Sequence, residues 1–181
     1  MSLKHGILGL LEYGSMTGYD VMKLFSESLN FFWNTQTSQI YRELDTLEKK
    51  EWVTSEHVVQ KDKPNKKVFT LADDGRRELI RWLDEHSAKN TMKMRDEMTM
   101  RVFLGSNGDK DILKKELIEY RQINKEFSKR LKEAEGKLDY REQLTGKKGE
   151  KIYWLMAIKR GYFTAKCNIQ WVDECLELLE L

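Results

Sequence analysis

The sequence predicts a mainly α chain in two parts: an N-terminal winged helix-turn-helix over residues 1–87, made of helices plus a two-stranded β-hairpin wing, followed by an all-α domain over residues 88–181. Three observations carry this. The apolar periodicity runs helix, helix, helix, strand, strand, helix; a lysine-rich turn joins the two strands; and beyond Ser87 the spacing of apolar residues is helical to the end. The hairpin placed directly after the third helix is what separates this order from a small helical bundle.

Leu3 to Tyr13 is apolar at Ile7, Leu8, Leu10 and Leu11, which predicts a short helix with one broad inner face. Gly14-Ser15-Met16 breaks it. Thr17 opens a second helix, with Asp20 three residues on to serve the free amide groups and Val21, Leu24 and Phe25 as the inner stripe. Leu29-Asn30-Phe31-Phe32-Trp33 is expected to be an aromatic connector packed under the next helix. That third helix starts near Thr35 or Gln36, ends around Lys50, and turns Ile40, Leu44 and Leu47 inward at spacings of four and three.

Val53 to Gln60 and Lys66 to Leu71 are β-rich, and the turn between them holds the chain's one proline. Asp73 or Asp74 is expected to cap a fourth helix packed through Leu79, Ile80, Trp82 and Leu83. Met92 to Leu104 predicts a methionine-rich helix, Gly105 to Gly108 a break, and Asp109 the cap of a long charged helix to about Lys137. Its apolar side is Ile112, Leu113, Leu117, Tyr120, Ile123, Phe127 and Leu131. After the turn Gly146-Lys147-Lys148-Gly149, residues 152–181 predict the last helix, with Ile152, Leu155, Tyr162, Ile169, Val172, Leu176 and Leu179 as its stripe, flanked by Trp154, Ile158, Phe163 and Trp171. Faces this wide on three helices mark a partner surface, and a second copy of the chain is the economical occupant.

Composition narrows the function classes. A net charge of +2 conceals a split: residues 1–87 hold 12 Lys/Arg against 14 Asp/Glu, and residues 88–181 hold 20 against 16. Any contact with phosphate must therefore come from local clusters. No run approaches the roughly 18 apolar residues of a membrane span, and the first residues lack a signal-peptide core, so a cytoplasmic protein is expected. Cys167 and Cys175, eight apart on a helical pattern, are expected to be buried thiols. His5, His57 and His86 are never at ligand spacing, and no phosphate loop or nucleophile elbow is present. Neither an enzyme, a metal site nor a cofactor is expected.

The start of the third helix presents Gln36, Thr37, Ser38, Gln39, Tyr41 and Arg42 outward. Glutamine can pair bidentately with adenine and arginine with guanine, while serine and threonine serve phosphate or base edges. The same residues would also make an ordinary solvated helix cap; it is the cationic hairpin behind them that favours DNA. Around Pro64 and Asn65 the wing offers Lys61, Lys63, Lys66 and Lys67, mobile charges suited to phosphate. A solubilising loop on a sheet edge would look alike. Glu43, Asp45 and Glu48 on the same helix oppose binding by a single copy. In the C-terminal half Met92, Met98, Trp154, Ile158, Tyr162 and Trp171 would line either a pocket for a flat apolar ligand or the core between two subunits.

The chain is similar to the PadR-type transcriptional regulators. The resemblance is carried by Gly18-Tyr19-Asp20-Val21, Ser38-Gln39-Ile40-Tyr41-Arg42-Glu43-Leu44 with Leu47-Glu48, Lys63 to Leu71 in the wing, Gly75-Arg76-Arg77-Glu78-Leu79 and Trp82-Leu83. Trp154-Leu155, Gly161 and Trp171 resemble the longer helical dimerisation domain of one subgroup. Three positions depart from the pattern: Lys66 stands for a common arginine, Phe69 for an aromatic hydroxyl, and Ala72 for a capping threonine that Asp73 would replace. The resemblance implies a homodimeric repressor bound to an inverted-repeat operator of double-stranded DNA, with small aromatic effectors known for some relatives. Outside the resemblance, a winged helix used for protein–protein contact is the rival reading, supported by the acidic residues of the third helix.

Overall fold

The computed structural model describes residues 3–58, 66–85 and 96–180, and the chain divides into two compact units, Met1–Met92 and Lys93–Leu181. In the first, α1 (Leu3–Leu11), β1 (Met16–Thr17), α2 (Gly18–Glu27), a 3-10 turn (Leu29–Phe31), α3 (Thr37–Lys49), β2 (Val53–Val58), β3 (Lys66–Leu71) and α4 (Asp73–Asp84) follow in order. The expected hairpin is β2 and β3, paired antiparallel from Val53↔Leu71 to Val58↔Lys66. β1 adds a third strand on the other side of β3 through Met16↔Phe69 and Thr17↔Val68, giving the order β1-β3-β2.

Thr17 caps α2 as expected: its hydroxyl accepts from the Asp20 N–H, and the Asp20 carboxylate accepts from the Thr17 N–H and hydroxyl. The core gathers Ile7, Leu8, Leu11, Val21, Phe25, Ile40, Leu44, Leu47, Val53 and Phe69, with Trp52, Leu71 and Trp82 against it. α4 closes on this core without a side chain at its tightest point. A β-carbon at Gly75 would lie 2.1 Å from the carbonyl oxygen of Trp52. That oxygen already accepts from the Ala72 N–H at 3.0 Å, so the helix start is fixed against the turn after α3.

Three expectations in this unit are corrected. Asp73 does not cap α4: Ala72 holds the cap position with no side-chain bond, and Asp74 pairs with Arg77 instead. Ile80 and Leu83 are exposed, because the face α4 turns inward is Gly75, Leu79 and Trp82, one helical step away. Phe32 is 62% exposed and Trp33 37%, so the end of the aromatic connector is not packed under α3, whereas Leu29 at its start does pack against the core. The 3-10 turn reverses the chain there, with the Phe32 and Trp33 N–H groups both donating to the Leu29 carbonyl, and carries those two rings outward.

A polar seam joins α1 to α4. Buried His5 places Nε2 3.1 Å from Glu78 Oε1 and stacks on Trp82 with ring centroids 4.4 Å apart, while its Nδ1 is buried without a hydrogen-bond partner. Glu78 also accepts from Lys4 at 2.9 Å and Arg81 at 2.7 Å. These hydrogen bonds, Lys4 foremost, hold its carboxyl down to about 2. Burial pushes the His5 imidazole below its ordinary 6.5, against the opposing pull of Glu78.

The regular elements of the second unit's described residues are all helical: α5 (Glu97–Phe103), a 3-10 turn (Gly105–Asn107), α6 (Lys110–Glu135), α7 (Leu138–Thr145) and α8 (Lys151–Glu180). Asp96 caps α5, and Asp109 caps α6 as expected, accepting from the Asp111 and Ile112 N–H groups. α6 and α8 run antiparallel. Lys114 pairs with Glu180, Arg121 with Asp173, and Asn124 with Asn168, while Gly161 receives Leu131 at a distance of 2.8 Å from where its β-carbon would be. α7 has no counterpart in the apolar pattern; only its Leu138 is buried, so residues 138–145 carry no stripe to read.

The cysteines correct a further expectation. Cys167 is exposed and Cys175 half-buried, because the inward line of α8 is Ile158, Ala165 and Val172, seven residues apart. Ile152 and Phe163, expected in or beside the stripe, are 59% and 69% exposed. Among the described residues, no helix is long and apolar enough to cross a membrane.

Candidate nucleic-acid interface

α3 forms as an amphipathic helix because Ile40, Leu44 and Leu47 share one face, and all three are nearly inaccessible. Burying them turns Thr37, Ser38, Gln39, Tyr41 and Arg42 to the surface, where each is exposed. The structure therefore brings all five recognition-helix candidates onto one accessible end of α3.

Their side chains are organised. Gln39 Oε1 accepts from the Gln36 N–H at 3.1 Å and from the Thr35 hydroxyl at 2.7 Å, stapling the first turn. Arg42 donates from Nε to the Ser38 carbonyl at 3.2 Å. The Tyr41 ring lies over Gly18, where an added β-carbon would fall 2.5 Å from Tyr41 Cε1. Gly18 thus seats the tyrosine against the start of α2 and keeps α2 and α3 close, a role visible in the sequence only as part of a motif.

Lys66 is exposed on the first residue of β3. Lys67 is held instead: its Nζ is 2.6 Å from Glu48 Oε2, 3.9 Å from Asp45 Oδ1 and 5.0 Å from the Phe69 ring centre. Glu48 further accepts from the Ser55 hydroxyl on β2. The hydrogen bonds from Lys67 first, then Ser55, hold the Glu48 carboxyl below its ordinary value. One acid of α3 therefore grips both strands of the wing. Nothing local in the sequence pairs Glu48 with Lys67 or Ser55; the link exists only once the sheet folds back on the helix. Lys61 and Lys63 lie outside the described residues.

In the second unit Met98 is half-buried on α5, and Trp154, Tyr162 and Trp171 are half-buried and Ile158 buried on α8. Met92 lies outside the described residues. Trp154 and Trp171 are 17 positions apart, about 25 Å along a straight helix. Trp171 stands edge-on to Tyr120, with ring centroids 6.3 Å apart. Tyr162 alone of the set lines an open groove of about 500 Å³, with Ser128, Lys166, Ile169, Gln170 and Asp173. Among the described residues, no group of three or more His, Cys, Asp or Glu side chains is placed to hold a metal ion.

Comparison with known proteins follows the two units. Residues 7–81 match the model of the transcriptional regulator PadR-like family, and residues 94–180 match that of the virulence activator alpha C-terminal domain. The negative transcriptional regulator PadR of Bacillus subtilis is 40% identical over 102 residues, 56% of this chain and 55% of that protein. The chain's match thus spans about half the length of the curated relatives. The crystal structure of Bacillus subtilis PadR in complex with operator DNA superposes with a TM-score of 0.79 at 27% identity, covering 99% of each chain. The Vibrio cholerae virulence activator AphA gives a TM-score of 0.76 at 26% identity, covering 99% of this chain and 98% of that one.

Proposed function

We propose that the chain, whose residues 7–81 match the PadR-like family of transcriptional regulators, is a DNA-binding regulator acting as a homodimer. In this reading residues 1–87 contact DNA and residues 88–181 join two copies and host any effector. The observation that carries it is the exposed end of α3, where Thr37, Ser38, Gln39, Tyr41 and Arg42 stand together beside a wing whose first described return residue is an exposed lysine. Arg42 and Gln39 would meet base edges, Ser38 and Tyr41 the backbone, and Lys66, with Lys61 and Lys63, the flanking phosphates.

The acidic residues of α3 lend the rival protein-contact reading less support than their number implies, since Glu48 and Asp45 face Lys67 and are partly neutralised there. The homodimer is supported by the apolar side chains α8 leaves exposed, Ile152, Tyr153, Met156, Phe163 and Leu178. Two copies would present their α3 helices to half-sites about one DNA turn, ~34 Å, apart. Repression in the cytoplasm, relieved by a small aromatic ligand bound in the helical half, is the working form of the proposal. Such a ligand acts only through its different affinity for the two arrangements.

The test is titration of the full-length protein into its own upstream region and into unrelated duplex. Saturable binding that weakens steeply with salt, prefers the upstream region, and is lost in Arg42→Ala is expected. Absence of salt-sensitive binding to either duplex sinks the proposal.

A further inference from the structure

The start of α3 limits what Gln39 can say to a base, an inference that rests on the DNA-binding reading above. Gln39 Oε1 accepts two hydrogen bonds, from the Gln36 N–H at 3.1 Å and the Thr35 hydroxyl at 2.7 Å. A backbone N–H only donates, so the amide atom facing it is the oxygen, and the orientation of the carboxamide follows from its partner. A carboxamide oxygen has two lone pairs, and both are engaged. What the exposed residue has left is its NH2 group, with two donors. The Gln–adenine pair needs the oxygen to accept from adenine N6 while the nitrogen donates to N7. That oxygen is committed to the helix start.

We propose that Gln39 reads DNA as a donor-only group. It selects a base that presents adjacent acceptors in the major groove, which is guanine through N7 and O6. Thr35 and the Gln36 N–H are positioning groups that hold the oxygen back and aim the nitrogen outward. The bidentate adenine contact expected from residue type alone is replaced by a guanine contact.

Selection from a duplex pool with a randomised centre, using the full-length protein, tests this. Wild type is expected to enrich guanine at one position of each half-site. Gln39→Glu keeps one oxygen for the helix start and turns an acceptor toward the base. It should lose roughly tenfold or more of that guanine preference, with cytosine, whose N4 donates, gaining at the same position. Its thermal midpoint should match wild type, since an acid suits the first turn of a helix. Gln39→Met should lose the guanine preference without the gain of cytosine, so the result does not hang on one variant. Thr35→Val should free one lone pair and admit adenine beside guanine. Adenine enriched at the position that responds to residue 39, or base profiles unchanged in both Gln39 variants, overturns the inference and leaves DNA binding standing. A wild-type protein that enriches no sequence and shows no salt-sensitive binding removes both.

Discussion

Lys67 Nζ sits 2.6 Å from Glu48 Oε2, so a lysine of the wing is tied to an acid of α3. Its charge is already balanced before any phosphate approaches. Lys66, the neighbouring and exposed lysine, has the opposite character. The two should behave differently in salt titrations of DNA binding. Lys66→Ala should lower the slope of log K against log salt by about 0.9 for each phosphate it ceases to neutralise. Lys67→Ala should lower it less, and Glu48→Gln, which frees Lys67, should steepen it. Equal slopes for the two lysine variants would contradict the assignment.

Gly18 and Tyr41 make a second coupled pair. A methyl group at position 18 meets the tyrosine ring at 2.5 Å, so Gly18→Ala should destabilise the first unit by about 1–3 kcal/mol as the ring is pushed aside. Removing the ring relieves the clash. Tyr41→Ala with Gly18→Ala should cost clearly less than the two single losses added, as read from denaturant midpoints. Strict additivity would mean that the ring does not rest on the glycine.

Acid should weaken the α1–α4 seam in two stages. The folded-state value of His5 is below its ordinary 6.5, so the unfolded chain takes up the proton first and stability falls as pH drops through 6.5. The folded-state value of Glu78 is about 2 against an ordinary 4.5. Its contribution is complete above 4.5 and is lost as pH falls from 4.5 toward 2. His5→Phe keeps a ring to stack on Trp82 and should abolish the first stage while sparing the second. Thermal midpoints across pH check this; a first stage that persists in the variant assigns it to another group.

Between α6 and α8, Asn168 donates to Asn124 Oδ1 at 2.9 Å, and Asn124 donates to the Tyr120 carbonyl at 2.8 Å. Asn124 is buried. Asn168→Leu strands that oxygen and should cost about 1–3 kcal/mol. Adding Asn124→Leu should recover most of the loss, because it removes the stranded amide, and the Tyr120 carbonyl keeps its bond within the helix. Calorimetric midpoints of the full chain distinguish the two variants, and a double variant no better than the single would show that the pair has no partner dependence.

The sequence is readable where one side chain acts on its own helix. The inward line Ile40, Leu44 and Leu47, the Thr17 and Asp109 caps and the β2–β3 hairpin all lie in local spacing, and so does the outward set from Thr37 to Arg42. Contacts between elements are not readable. β1 is two residues joined by backbone bonds, and it leaves no alternation to see. Glu48 reads as an obstacle to DNA because its partners Lys67 and Ser55 belong to strands. Gln39 reads as an adenine reader because residue type does not say that Thr35 and Gln36 occupy its oxygen. Ile80, Leu83, Phe32 and Trp33 differ from expectation for a related reason: apolar character alone does not imply burial, and much of a protein's surface is apolar.

Gly75 imposes a restriction of another kind. It sits in the first turn of α4 between the exposed Asp74 and Arg76, and any side chain there meets the Trp52 carbonyl oxygen at 2.1 Å. The obstruction is backbone, which no choice of rotamer can move. In mutational terms position 75 has an alphabet of one letter. The limit on position 75 comes from the chain's own backbone, where a hydrogen atom fits and a methyl group does not.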